Sequence, residues 1–156
     1  MKRIVLISCV SKKGTAKAKA KDLYKGPLFA NSLAYGISLK PDKIFILSAL
    51  HYLLDLDKEI EPYNVTLSNV PKGKRKAGLK ILSSTEKKEW GKKVLEQLEK
   101  VTDIKKDTFI ILAGQSYIKP IASLSNIEEP LKGVVQGKRP GKLKELIREI
   151  DDKRTT

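Results

Sequence analysis

The sequence predicts an α/β protein, a single three-layer domain in which a mostly parallel central sheet carries helices on both faces. Two observations predict it. Three short runs, Lys2 to Cys9, Ile44 to Leu47 and Thr108 to Ala113, are consecutive aliphatic and β-branched residues, the pattern of strands buried on both sides. Longer segments with apolar residues at helical spacing separate them, and that alternation builds parallel sheets.

Each element has a local reason. After the first strand, Ser11 to Lys25 is polar and rich in Lys and Ala, which reads as a mobile loop or short helix closed by Gly26-Pro27. Proline suits a first helical turn, so Leu28 to Leu39 is a helix. Pro41-Asp42 marks the turn into the second strand. His51 to Asp57 is expected to be a short helix or a bend, and Glu61-Pro62-Tyr63-Asn64 extended, because the residue before proline avoids helical geometry. Val70 to Lys80, with Pro71, Gly73 and Gly78, is a loop. Thr85 to Val101 is the clearest helix, with Trp90, Val94, Leu98 and Val101 on one stripe and Ser84 or Thr85 as its cap. A short helical segment spans Tyr117 to Leu124, and Leu131 to Val135 is a further strand or extended stretch. Pro140 opens a last helix with Leu143, Leu146, Ile147 and Ile150 on its face. The domain covers 1–150, and 151–156 is a polar tail expected to fray.

Composition narrows the class of function. Of 156 residues, 40% are hydrophobic, enough for one core, and the formal net charge is +14. Such an excess attracts polyanions, nucleic acid foremost, although a basic surface kept for solubility is the plainer explanation. Cys9 stands alone and His51 is the one histidine, which excludes a disulfide framework and a zinc cluster of Cys or His. No apolar run is long enough for a membrane span and no signal peptide is recognisable, so the expected compartment is the cytoplasm and no membrane partner is expected. There is no Walker loop and no dinucleotide-binding glycine pattern, and no cofactor is expected.

In open α/β sheets ligands bind beyond the carboxyl ends of the strands. Three such ends carry chemistry: Ser8-Cys9-Val10-Ser11-Lys12-Lys13, Ser48-Ala49-Leu50-His51 and Ala113-Gly114-Gln115-Ser116-Tyr117. If they converge they form a polar pocket. Cys9 is a candidate nucleophile or a small buried hydrophobe. His51 is the one side chain suited to base catalysis at neutral pH, or a structural residue among Leu50, Tyr52 and Leu53. Gln115 and Tyr117 suit hydrogen bonding and stacking to a nucleobase. Asp55, Asp57, Glu59 and Glu61 are an acidic patch in a basic protein. They would hold a metal only if they converged, and none is expected. One of them, Glu61 or Asp55, could stabilise positive charge developing on a sugar ring, as in glycosidases. Basic residues cluster at Lys12 to Lys25, Lys72 to Lys93 and Lys138 to Arg148. From these Lys13, Lys72, Lys74, Arg75, Lys76, Lys138 and Arg139 are the expected contacts to a nucleic-acid backbone.

Several of these residues carry a resemblance. Ser8-Cys9 with Ser11-Lys12-Lys13, then Asp22-Leu23-Tyr24 and Pro27-Leu28-Phe29, resembles the opening of a prokaryotic and phage family of domains of unknown function (DUF6884-like). Ile46-Leu47-Ser48-Ala49 and Ile60-Glu61-Pro62-Tyr63-Asn64-Val65-Thr66-Leu67 are similar to its central signature. Trp90, Ala113-Gly114, Tyr117, Pro130-Leu131, Gly133 and Gly137 continue the likeness over nearly the whole chain. The same segments resemble the YaaA group, which implies DNA binding and peroxide stress. The α/β fold of uracil-DNA glycosylases and of archaeosine-synthesis proteins is a more distant likeness, and Gly114-Gln115-Ser116-Tyr117 is similar to the glycosylase Gly-Gln-Asp-Pro-Tyr loop without its Asp and Pro. The family usually has Lys-Tyr-Gly after the Ser-Ala, where this chain has Leu50-His51-Tyr52. Without that glycine the turn is expected to lose its unusual backbone freedom.

The function expected is that of a nucleic-acid-associated protein with a pocket for a nucleobase or nucleotide, and an N-glycosidase acting on DNA or RNA bases is its catalytic form. Glu61, His51 and Cys9 are the catalytic candidates. Ser8, Ser11, Lys12, Tyr24, Ser48, Tyr63, Asn64, Gly114, Gln115 and Tyr117 are the ligand-binding candidates. The alternatives are a noncatalytic DNA-binding protein of stress response or phage context, and an enzyme processing a small nucleotide.

Overall fold

The computed structural model describes residues 1–155 of the chain. In order, the elements are β1 (Arg3–Ser8), β2 (Ala18–Lys19), α1 (Ala20–Leu23), α2 (Pro27–Ser38), β3 (Lys43–Ser48), β4 (Tyr52–Asp55), β5 (Glu59–Ile60), β6 (Val65–Thr66), β7 (Lys80–Ile81), α3 (Ser84–Val101), β8 (Thr108–Leu112), α4 (Gln115–Ile118), β9 (Ile127–Glu128) and α5 (Arg139–Thr155). A five-stranded mixed sheet runs β4-β3-β1-β8-β9, parallel except where β4 folds back on β3.

The apolar runs become the middle of this sheet. Ile4, Val5, Leu6 and Ile7 are all buried, as alternate residues can be only when both faces of a strand are covered. The register pairs Ile7 with Ile46 on one side and with Leu112 on the other. The chain leaves β1 in one direction to reach β3 and returns past it to β8. The strand order therefore reverses between β1 and β8, the point where open α/β sheets hold their ligands.

The helices follow from local sequence. Gly26 and Pro27 open α2 without a side-chain cap. A Cβ on Gly36 would lie 3.0 Å from Val5 Cγ1, so α2 rests closely on β1. The cap of α3 is Ser83, one residue before the expected pair, and it forms a reciprocal capping box with Glu86. Trp90, Gly91, Val94 and Leu98 are the buried stripe of α3. At Gly91 the helix approaches the short 3-10 turn Lys119–Ile121, where an added Cβ would fall 2.3 Å from the Pro120 carbonyl oxygen.

Other segments depart from expectation. His51 to Asp57 is neither helix nor bend. It holds β4, whose pairing from Ser48–Tyr52 to Phe45–Asp55 satisfies one edge of β3. The turn that begins it places Tyr52 at φ 60°, so the left-handed geometry expected to need glycine occurs here without it. Holding a non-glycine residue there costs about 1–2 kcal/mol. Leu131 to Val135 is a turn region, and the edge strand is β9 instead, where Ile127 pairs with Phe109. The polar segment after β1 is ordered by the bridge between Lys13 and Tyr24, by β2 pairing with β5, and by burial of Ala20 and Leu23. Residues 151–155, expected to fray, continue α5, and residue 156 lies outside the described residues. No described helix is long and apolar enough to cross a membrane.

Candidate functional site

Three parallel strands deliver their last residues to one edge of the sheet: Ser8 and Cys9 from β1, Ser48 from β3, Ala113 and Gly114 from β8. Tyrosines from three further segments reach over that edge. Tyr24 follows α1, Tyr63 follows β5, and Tyr117 lies in α4. Two hydrogen-bonded chains result.

The first joins Ser48, Tyr63 and Tyr24. The His51 backbone N–H donates to Ser48 Oγ at 2.9 Å, Ser48 Oγ is 2.8 Å from the Tyr63 hydroxyl, and that hydroxyl is 2.6 Å from the Tyr24 hydroxyl. Three hydroxyl protons share two contacts, so one O–H is left over. Ser48 is fully buried, and in each of the two contacts either oxygen can donate. The second chain runs to sulfur. Ser68 N–H donates to Thr66 Oγ1 at 3.0 Å, Thr66 Oγ1 is 3.4 Å from the Tyr117 hydroxyl, and that hydroxyl is 3.4 Å from Cys9 Sγ. Tyr117 also takes an edge-on contact from Trp90, whose indole N–H donates to the Ser48 carbonyl at 2.9 Å. Trp90 thus wedges the two chains together.

Burial, and after it the neighbouring Cys9 sulfur, pushes the phenol pKa of Tyr24, Tyr63 and Tyr117 well up. All three remain neutral donors at any ordinary pH. Lys13 lies with its ammonium 4.4 Å from the centre of the Tyr63 ring and 5.7 Å from that of Tyr24. Burial pushes its pKa down, the Cys9 sulfur opposes this, and the charge of Lys76 adds to it. His51 stands edge-on to Tyr63 with ring centres 5.4 Å apart, and burial and then Lys58 hold its pKa below 6.5. On that side opens a cleft of about 560 Å³ lined by Tyr63, His51, Glu61, Lys17, Leu50 and Ile60 among others.

The structure thus gathers Cys9, Tyr24, Ser48, His51, Tyr63 and Tyr117, with Ser8 beside them at the end of β1. Others do not join. Gln115 is turned to Glu129, its Nε2 donating at 2.8 Å, and it does not line the cleft that Glu61 lines. Glu61 is exposed on the wall of the cleft. Asn64 instead holds the basic loop, its Nδ2 donating to Ala77 O at 3.2 Å. Ser11 and Lys12 are exposed. Asp57 pairs with Lys21 at 3.2 Å and with Lys19 at 4.0 Å instead of gathering with its carboxylate neighbours.

Two residues expected on the nucleic-acid backbone belong to the site itself. Lys13 covers Tyr63, and Arg139 brings its guanidinium to Gly114, 3.5 Å from where a Cβ would sit. Lys72, Lys74 and Lys76 are exposed and have no ion-pair partner among the described residues, and Arg75 donates to Val70 O. Lys138 is exposed beside Arg139. Sequence reasoning missed Thr66 and Trp90 as site residues, the first read only as part of a family signature and the second as helix stripe and family likeness.

Sheet and site together define an open α/β protein with polar groups gathered at the carboxyl edge of its sheet and a cleft beside β4 and β5. The chain belongs to the family of unknown function DUF6884, whose model matches residues 4–145. No curated protein and no solved structure matches it.

Proposed function

We propose that this is a cytoplasmic, nucleic-acid-associated protein that takes a nucleobase or nucleotide at the carboxyl edge of its sheet. The observation that supports this best is Tyr63, which links the hydroxyl chain behind it to the cleft in front and carries Lys13 on its ring. A chain of neutral hydroxyls with one O–H beyond its two internal contacts suits a base or sugar acceptor. The aromatic wall suits stacking, and the exposed lysines of the 72–76 loop suit a phosphate backbone. The proposal takes helices to cover both faces of the sheet, leaving this edge as the approach.

Base N-glycosidase chemistry is the catalytic form, favoured by the meeting of Glu61 and His51 at one cleft. Glu61 would stabilise the sugar cation while the C–N bond breaks with its electron pair going to the base, and water would add to the sugar carbon and give up its proton.

The test is fluorescence anisotropy with single-stranded and duplex oligonucleotides over a salt series, alongside mass spectrometry for free base released from oligonucleotides with modified bases. Wild type is expected to bind with strong salt dependence. Changing Lys72, Lys74 and Lys76 together to Ala should reduce the slope of log K against log salt by about 2 for a single strand. Tyr63→Phe should weaken binding by about tenfold without changing that slope. Binding that ignores salt would sink the proposal. Binding with no released base at enzyme excess would leave a noncatalytic binder, and mononucleotide binding without oligonucleotide binding would point to a small-nucleotide enzyme.

A further inference from the structure

Arg139 is held differently from the other basic residues near the site. It is half-buried at the start of α5, and its Nε donates to the Val134 carbonyl at 3.0 Å. That bond fixes the plane of the guanidinium and leaves its two terminal nitrogens facing Gly114, at 3.5 and 3.8 Å from the position of a Cβ there. No carboxylate pairs with it among the described residues. A half-buried cation without a counter-charge is costly, and a fixed fork with open donors matches the oxygens of a phosphate.

The sheet supplies the ruler. Adjacent strands lie about 4.8 Å apart. Ser48 ends β3, Cys9 follows the end of β1, and Gly114 follows the end of β8. The register that pairs Ile7 with both Ile46 and Leu112 sets these three side by side. The Gly114 end is thus about 10 Å from the Ser48 and Tyr63 end, two strand spacings away. That is on the order of the reach of one nucleotide from its base to its phosphate.

We infer that Arg139 is the phosphate anchor of the site, so that its ligand is a nucleotide phosphate and not a free base or nucleoside. This rests on the nucleotide-binding reading above and adds the class and polarity of the ligand: base or sugar at Tyr24 and Tyr63, phosphate at Arg139. The phosphate is a terminal group of a mononucleotide or a link in a strand, and one experiment separates the two.

Calorimetric titration of the full chain would compare the four deoxynucleosides, their 5′-monophosphates and a mixed-sequence dodecanucleotide. The proteins are wild type, Arg139→Ala, Arg139→Lys and, as a charge control on an exposed position of α5, Lys144→Ala. Arg139→Ala is expected to weaken phosphate-bearing ligands by about tenfold or more and to leave nucleosides unchanged, with Arg139→Lys restoring only part. Far-UV circular dichroism and the melting temperature identify any variant that fails to fold, and the folded Arg139→Lys protein then carries the test. Loss confined to monophosphates assigns a terminal phosphate, and loss of the oligonucleotide too assigns a strand phosphate. Equal loss for nucleosides and nucleotides, no loss, or the same loss in Lys144→Ala overturns the inference and leaves the binding site standing. Failure of every ligand to bind wild type overturns the site as well.

Discussion

Gly91 offers the sharpest test of how α3 is seated. Replacing it with Ala adds one methyl group in a helix, a change that by itself favours helix by about 1 kcal/mol. In this fold the new Cβ would sit 2.3 Å from the Pro120 oxygen, 2.6 Å from its Cβ and 2.8 Å from its carbonyl carbon. Backbone atoms cannot swing aside as a side-chain end can. The Lys119–Ile121 turn and α3 would have to part by about 0.7 Å merely to reach the 3.0 Å limit that real Cβ contacts respect. Overpacking of this kind costs about 1–3 kcal/mol, and the upper part of that range applies because the contact is with main chain. After the helix gain, the net loss is about 1–2 kcal/mol, a fall of about 2–8 °C in melting temperature for a chain of this size. Gly141→Ala is the matched control, a helical glycine of α5 with nothing within 4 Å of an added Cβ. It should be neutral or stabilising by up to about 1 kcal/mol. Urea melts of the two variants give the comparison, and Trp90, the one tryptophan, reports the site directly by fluorescence. If Gly91→Ala melts at or above wild type with unchanged Trp90 emission, the close approach of α3 to Pro120 is wrong.

Two further outcomes follow from the same structure. Tyr52→Gly and Tyr52→Ala both lose the ring that Lys93 covers at 4.3 Å, but only glycine relieves the φ of 60°, so the Gly variant should be the more stable by about 1 kcal/mol in urea denaturation; an Ala variant of equal stability would refute strain at that turn. His51 has a folded pKa below its unfolded 6.5, so the unfolded chain binds more protons between the two values. Its contribution is complete above pH 6.5 and is lost as pH falls through the folded value, so His51→Gln should flatten this part of the stability profile; a profile of unchanged steepness would exclude burial as the cause.

The sheet was legible because its strands announce themselves. Ile4 to Ile7 and Phe109 to Leu112 are apolar without alternation, and only a strand covered on both faces uses such a run. The stripe of α3 was equally plain, since Trp90, Val94 and Leu98 fall on one side of any helix. β4 was not legible. Tyr52-Leu53-Leu54-Asp55 has no period long enough to distinguish a strand from a helical turn, and its pairing with β3 decides the matter through main-chain bonds that no side chain encodes. The edge strand β9, two residues long, was hidden for the same reason.

The site divides along a similar line. Sequence alone determined a basic α/β chain whose strand ends carry Ser8, Cys9, Ser48 and Gly114, because a residue that follows a buried strand must emerge at the edge of the sheet. Only tertiary structure decided which partners meet there. Tyr24 and Tyr63 are far apart in the chain and their hydroxyls are 2.6 Å apart in space, whereas Gln115, beside Gly114, turns away to Glu129. Lys13 and Arg139 were two among many basic residues until packing placed one over an aromatic ring and fixed the other at Gly114. The reason is physical: charge and residue type are properties of the chain, but desolvation, orientation and the count of hydrogen-bond partners exist only once long-range contacts have closed.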